Sequence, residues 1–204
     1  MNKMNRIYTL FFLLMLTLSL SAQQDTKAKN ILDKTVEKYN QSKGISVIFG
    51  GSQSGKLLLK GEKFQLTTQD VTTWFDGQTQ WSYLKQNEEV NISTPTPEEL
   101  RAINPYAWLS LYKQGFNYRY SGVKTREGKQ GHEIVLTPQT KQDIQSITLL
   151  IGSDYEPIYI GILPTEGQMQ EFIVHNYRTQ LNLNDNAFRF DKSKYPNAEI
   201  IDMR

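Results

Sequence analysis

The chain contains no cysteine. That absence excludes disulfide staples, thiolate chemistry and a lipid anchor on an N-terminal cysteine. Histidine is nearly as scarce. His132 and His175 each stand alone in strand-like surroundings, with no companion at metal-ligand spacing. There is no G-x-S-x-G elbow and no local signature of a carboxylate pair, so the chain reads as a non-enzyme needing neither cofactor nor metal. One stretch, Gly50-Gly51-Ser52-Gln53-Ser54-Gly55-Lys56-Leu57, imitates a phosphate-binding loop. Leu57 stands where such a loop needs Ser or Thr for magnesium, and the following residues read as a strand, so a hairpin turn is expected instead. Internal repeats and low-complexity linkers are also missing, which leaves one domain over residues 23–204.

Nor is either sign of charge in real excess. Lys3 and Arg6 precede an apolar run from Ile7 to Leu20; Ser21 and Ala22 are small, and polarity resumes at Gln23. This is the layout of a cleavable secretory signal over residues 1–22. The run is short beside the about 20 apolar residues of a membrane span. Removing the signal takes away two bases and no acid, which brings 23 basic and 21 acidic side chains into balance. A neutral mature chain gives no electrostatic case for nucleic acid or an anionic membrane surface. A soluble, monomeric protein of the periplasm is expected.

What is present is a change of period. Asp25 can cap a helix running to about Lys43, with Ala28, Ile31, Leu32, Thr35, Val36 and Tyr39 as one buried stripe and Gly44 as the stop. From Ile45 the period becomes two, with turns at Gly50-Gly51, Gly61-Glu62, Gln69-Asp70, Asp76-Gly77 and Gln86-Asn87. Strands are expected at 45–50, 55–61, 63–69, 71–76, 79–85 and 88–93. Thr96-Pro97-Glu98-Glu99 and Asn104-Pro105 then open two short helices, which interrupt the sheet. Strands resume at about 116–121, 132–137, 144–152, 157–164 and 168–177, with a last one near Ala187 to Asp191. About eleven antiparallel strands with few helices make an α+β fold.

Two features point to either a hollow or a second apolar layer. Leu57, Leu58 and Leu59 are consecutive, and Ile158, Ile160 and Ile162 alternate with Tyr159, Gly161 and Leu163, so some strands are apolar on both faces. Large rings such as Trp74, Trp81, Tyr83 and Trp108 crowd the middle of the chain and suit a wide apolar concavity.

Several stretches, taken in order, resemble the outer-membrane lipoprotein carrier (LolA) family. They are Gly55-Lys56-Leu57-Leu58-Leu59-Lys60, Phe64, Asp76-Gly77-Gln78-Thr79-Gln80-Trp81, the strand His132 to Pro138 ending in Leu-Thr-Pro, Ile144 to Gly152, and Phe188-Arg189-Phe190. The resemblance implies an incomplete, half-open antiparallel barrel whose concave apolar face is covered by helices. It implies a carrier of lipoprotein acyl chains, loaded by an inner-membrane ABC transporter and unloaded to an outer-membrane acceptor. Phe64, Leu66, Trp74, Trp81, Tyr83, Trp108, Leu149 and Ile160 are the expected cavity lining. Lys60 is the expected contact to the helical lid between Thr96 and Tyr112. The family has Arg-Pro where this chain has Lys60-Gly61, and lysine lacks the planar fork of arginine. That departure leaves two alternatives, a carrier of another lipid or hydrophobic precursor and an envelope sensor or interaction module.

Overall fold

Hairpin turns govern this architecture, because each one sets which strand lies beside which. The computed structural model describes residues 25–97, 99–100, 112–113 and 115–204; the expected signal, Trp108 and most of the expected helical pair lie outside them. Helix α1 (Thr26–Gln41) leads into strands β1 (Ile45–Gly51), β2 (Gly55–Lys60), β3 (Lys63–Thr68), β4 (Val71–Phe75), β5 (Gln80–Leu84) and β6 (Glu89–Ser93). Strands β7 (Phe116–Arg126), β8 (Lys129–Pro138), β9 (Ile144–Ile151), β10 (Pro157–Pro164), β11 (Gln170–Arg178) and β12 (Glu199–Asp202) follow. All twelve form one sheet in the order β12-β6-β5-β4-β3-β2-β1-β11-β10-β9-β8-β7. The sheet does not close on itself, which gives the half-open barrel of the α+β class.

Four of the five expected turns of the first meander are found in place; Gly50-Gly51 instead ends β1, paired with β11, and the turn falls at 52–54. Gly61-Glu62 joins the paired residues Lys60 and Lys63, and Gln69-Asp70 lies between Thr68 and Val71. The Gly50 to Leu57 stretch is the β1–β2 hairpin, not a loop opening a helix. At the β4–β5 turn, Asp76 Oδ1 accepts from the backbone N–H groups of Gln78 (3.1 Å) and Thr79 (3.0 Å), an aspartate turn built from its own side chain.

Helix α1 starts where Asp25 can cap it. One carboxylate oxygen of Asp25 accepts from Lys27 N (3.0 Å) and Ala28 N (3.1 Å). The other accepts from Tyr120 N at 2.8 Å, beside the bulge in β7 between Tyr120 and Gly122. Burial pushes this carboxyl up, but the backbone donors outweigh it and hold it below its ordinary value. Ala28, Ile31, Leu32 and Thr35 form the buried stripe expected from the sequence. The helix crosses the sheet, and its last turn is tied down by Tyr39 OH donating to Gly61 O (2.8 Å) and Lys38 Nζ pairing with Glu156 (2.9 Å). It ends at Gln41, with Ser42 already extended, so Gly44 is not its stop. Gly44 has a different use. A Cβ there would lie 2.5 Å from Leu181 O, because the C-terminal segment passes directly over it.

That segment is the main departure from expectation. Ala187 to Asp191 is not a strand; Asp185–Phe188 forms a 3-10 turn that presses the fully buried Phe188 against β3 and β4. Arg189 Nε then donates to Asp76 Oδ2 (3.0 Å). The rings of Phe190 and Tyr195 each lie 5.7 Å from Trp74, and Tyr195 lies 4.6 Å from Tyr83. After this strap, β12 joins the sheet edge parallel to β6, while the other ladders are antiparallel. Asp185 anchors the strap between two ammonium groups, Lys60 Nζ and Lys63 Nζ, each at 2.7 Å.

Leu32 is fully buried where α1 meets the sheet. Leu32→Ala is expected to lower stability by about 2–5 kcal/mol, seen as a lower urea midpoint at unchanged slope. An unchanged midpoint would mean that α1 is not part of the cooperative core. A second expectation concerns acid. The hydrogen bonds from Lys60 and Lys63 pull the Asp185 carboxyl down to about 2. An unfolded aspartate titrates at about 3.9, so the anchor contributes fully above that value and is lost as pH falls through about 2. Asp185→Asn cannot titrate. The Tm difference between wild type and Asp185→Asn should be steady near neutral pH and close between about pH 4 and pH 2. A gap that survives acid would show that the charge of Asp185 does not hold the strap.

Candidate functional site

Directly paired residues on neighbouring antiparallel strands project from the same face. The register therefore sorts the meander without ambiguity. One row runs Leu59, Phe64, Phe75, Gln80, Ser93, and the next runs Leu57, Leu66, Thr73, Ser82, Asn91. Leu57, Leu59, Phe64 and Phe75 belong to the same buried cluster as Ala28, Ile31 and Leu32 of α1, so these rows form the inner, helix-covered face. On the other half of the sheet, Ile134, Leu149 and Ile160 are paired in line and join that cluster. The rings of Phe64 and Phe75 lie 5.5 Å apart.

The expected cavity residues divide between the two faces. Phe64, Leu66, Leu149 and Ile160 come together on the inner face. Trp74 and Trp81 pair with each other one residue out of phase with Phe64, and Tyr83 follows the same parity, so all three are on the outer face. The reading from sequence treated the aromatics as one set, and period two forbids this. Trp74 and Phe75 are chain neighbours, so only one of them can point inward. Trp74 and Tyr83 serve as the seat of the C-terminal strap. Phe75 was absent from the expected lining, whereas Val36 and Tyr39 pack where the helical stripe placed them. The parity of Phe64, carried through the one counted hairpin turn at Gln69-Asp70, was the signal that could have found Phe75.

The inner face changes character along the sheet. It is apolar on β2 and β3 and becomes polar on β5 and β6, where Gln80, Ser82, Asn91 and Ser93 face inward. Gln80 Nε2 donates to Ser82 Oγ (3.3 Å), while Gln80 Oε1 is buried with no hydrogen-bond partner among the described residues. Beside it opens a cavity of about 480 Å³ lined by Gln80, Ser93, Thr94, Pro95, Glu99, Met203 and Arg204.

Both ends of the segment that joins β6 to β7 are tied. Thr96 and Glu99 form the expected capping box, with Thr96 N donating to Glu99 Oε2 (2.7 Å) and Glu99 N to Thr96 Oγ1 (3.3 Å). At the far end, Tyr112 OH donates to Asp33 Oδ1 of α1 (2.6 Å), and Lys29 grips the other oxygen at 2.6 Å. The hydrogen bonds from Lys29 and Tyr112 hold the Asp33 carboxyl low. Trp108, between these ties, lies outside the described residues. Lys60, expected at the lid, donates to Leu183 O (2.9 Å) and Asp185 Oδ1 (2.7 Å), so its described contacts secure the strap. Gly61 sits at φ +58°, a conformation closed to the proline that the resemblance places there.

Of the two histidines, His132 Nδ1 shares a hydrogen bond with Tyr120 OH (3.1 Å), and His175 packs against Gly50. No three His, Asp or Glu side chains among the described residues gather to hold a metal. The arrangement is one of shape and polarity: an apolar inner face, a polar strip and a cavity beside it.

No curated protein sequence matches the chain significantly. Among solved structures, an uncharacterized conserved protein from Thermus thermophilus superposes with a TM-score of 0.61 at 16% identity, over 87% of this chain and 99% of that one. Lipoprotein LppX of Mycobacterium tuberculosis superposes with a TM-score of 0.51 at 14% identity, over 78% of this chain and 98% of the other. At such identities these two show the fold alone. The family model described as outer membrane lipoprotein carrier protein LolA matches residues 18–168. That span takes in α1, the whole first meander and the strands up to β10, and on this ground the chain belongs to the outer membrane lipoprotein carrier protein (LolA) family.

Proposed function

We propose that this protein is a periplasmic carrier that holds the acyl chains of lipoproteins on its inner face and moves them from the inner to the outer membrane. The observation that carries the reading is the apolar inner row Leu57, Leu59, Phe64, Leu66 and Phe75, set in a fold of the lipoprotein carrier family. Each buried methylene is worth about 0.8 kcal/mol, so a sixteen-carbon chain in water costs roughly 12 kcal/mol. An acylated protein does not cross an aqueous gap at that cost. An apolar protein face exchanges one greasy environment for another, which makes loading and release nearly neutral. The work needs no catalytic group, so the protein acts as a non-enzyme. Its partners in this reading are an inner-membrane ABC transporter that loads it and an outer-membrane acceptor that relieves it.

A second reading keeps the carrier and changes the cargo to another lipid. Lys60 and Gly61 favour it. They replace the Arg-Pro of the family with a strap anchor and a left-handed turn, so the lid contact that the resemblance places at this position is altered here.

A photo-crosslinking amino acid in place of Leu66, a half-buried residue on the inner face, tests both. Irradiation in the intact envelope is expected to capture acylated proteins, and mass spectrometry of an extract of the purified protein should find diacylglyceryl groups on peptide. Free lipid alone would transfer support to the second reading. A clean extract with no crosslink would end both.

A further inference from the structure

The sheet ends in a strand that is unusually open. Every residue of β12 is exposed, and Ile200, Ile201 and Met203 are 46%, 37% and 60% accessible. Edge strands are commonly blunted by charge or proline because their unpaired N–H and C=O groups accept a further strand. The hydrogen bonds show which groups are unused among the described residues. Glu199 N donates to Glu88 O and Met203 N to Ile92 O, so the odd-numbered residues of β12 face β6. In a parallel ladder the residues between them, Ile200 and Asp202, turn their N–H and C=O groups away from the sheet.

Three further observations point to what fits there. Ile201 is in register with Asn91 and hence with Ser82, Thr73 and Leu66, so β12 prolongs the inner face. Between the apolar row and β12 lies the polar strip of Gln80, Ser82, Asn91 and Ser93, with Gln80 Oε1 buried and unpartnered among the described residues. The cavity of about 480 Å³ opens at the end of β12, against Met203 and Arg204. A greasy region, a polar strip and a free strand edge follow one another across a single face. That is the polarity order of an acyl chain, its polar linkage and an extended polypeptide.

We infer that the free edge of β12, with the Gln80 cavity at its end, binds the extended peptide that follows the acylated residue of the cargo, as a thirteenth strand. The inference rests on the carrier reading above. Main-chain pairing accepts many sequences, which suits a carrier of varied lipoproteins, while the acyl chains stay on the apolar part of the face.

The test uses three synthetic probes, a diacylated lipopeptide with an extended polar peptide, the same diacyl anchor ending at its first residue, and the peptide without its acyl chains. Wild type should bind the lipopeptide about tenfold tighter than the anchor, the yield of one or two net hydrogen bonds. Proline is tolerated where an edge N–H faces away from the sheet, so Ile200→Pro removes the outward donor and leaves the β12–β6 ladder whole. Ile200→Pro should bring the lipopeptide to the affinity of the anchor and leave the anchor unchanged; Gln80→Leu should remove part of the gain. Equal affinities of wild type for lipopeptide and anchor, or an unaffected Ile200→Pro of native circular dichroism, would overturn the inference. So would a wild-type dimer that Ile200→Pro converts to monomer, since the edge would then belong to a second copy. No binding of the anchor alone, with the unacylated peptide still bound, would instead refute the carrier reading while leaving a peptide edge.

Discussion

The alternation of side chains across a pleated sheet constrains everything else in this molecule. A residue of a strand faces inward or outward according to parity, and parity passes from strand to strand only through the length of each turn. The two-residue turns at Gly61-Glu62 and Gln69-Asp70 carry Leu59 to Phe64 and on to Phe75 on one face. The same count sends Trp74, Trp81 and Tyr83 to the other. A one-residue change in any of these turns would exchange the faces of the strands beyond it. Asp76, which builds the next turn from its own carboxylate, therefore guards the polarity of β5 as well as its connection.

The outer face shows how the chain uses what the inner face excludes. Large aromatic rings pointing away from the helix-covered side need cover, and the strap supplies it with Phe190 and Tyr195. The Asp-Gly turn and the closing Phe-Arg-Phe, far apart in sequence, meet here through Arg189 and Asp76. These motifs are thus a clasp that holds the outer face. The burial of Phe188 and the ring contacts outweigh the surface ion pairs around it, because exposed pairs contribute little.

Much of this fold was legible in the residues. Helix α1 announced itself by the spacing of Ala28, Ile31, Leu32 and Thr35, and eleven of the twelve strands by their period and their turns. What was hidden was set by distant partners. Ile200-Ile201 alone is too short a signal to mark Glu199–Asp202 as a strand, because its pairing comes from β6; nothing local in Gly44 reveals the carbonyl of Leu181 above it. The inner site was half readable for the same reason. Hydrophobicity nominates Phe64, Leu66, Leu149 and Ile160, but it nominates Trp74 equally, and only counted register separates them.

The pairing order of the sheet also dictates when it can be finished. Strands β2 to β6 can form hairpin by hairpin as the chain is made, but β1 must wait for β11, and β6 for β12, both far later in the chain. Contacts of such long range are slow to close. Until β11 and β12 arrive, two sticky margins of the growing sheet stand bare, one in its middle and one at its end. The growing sheet is thus open to wrong partners until β11 and β12 have been made.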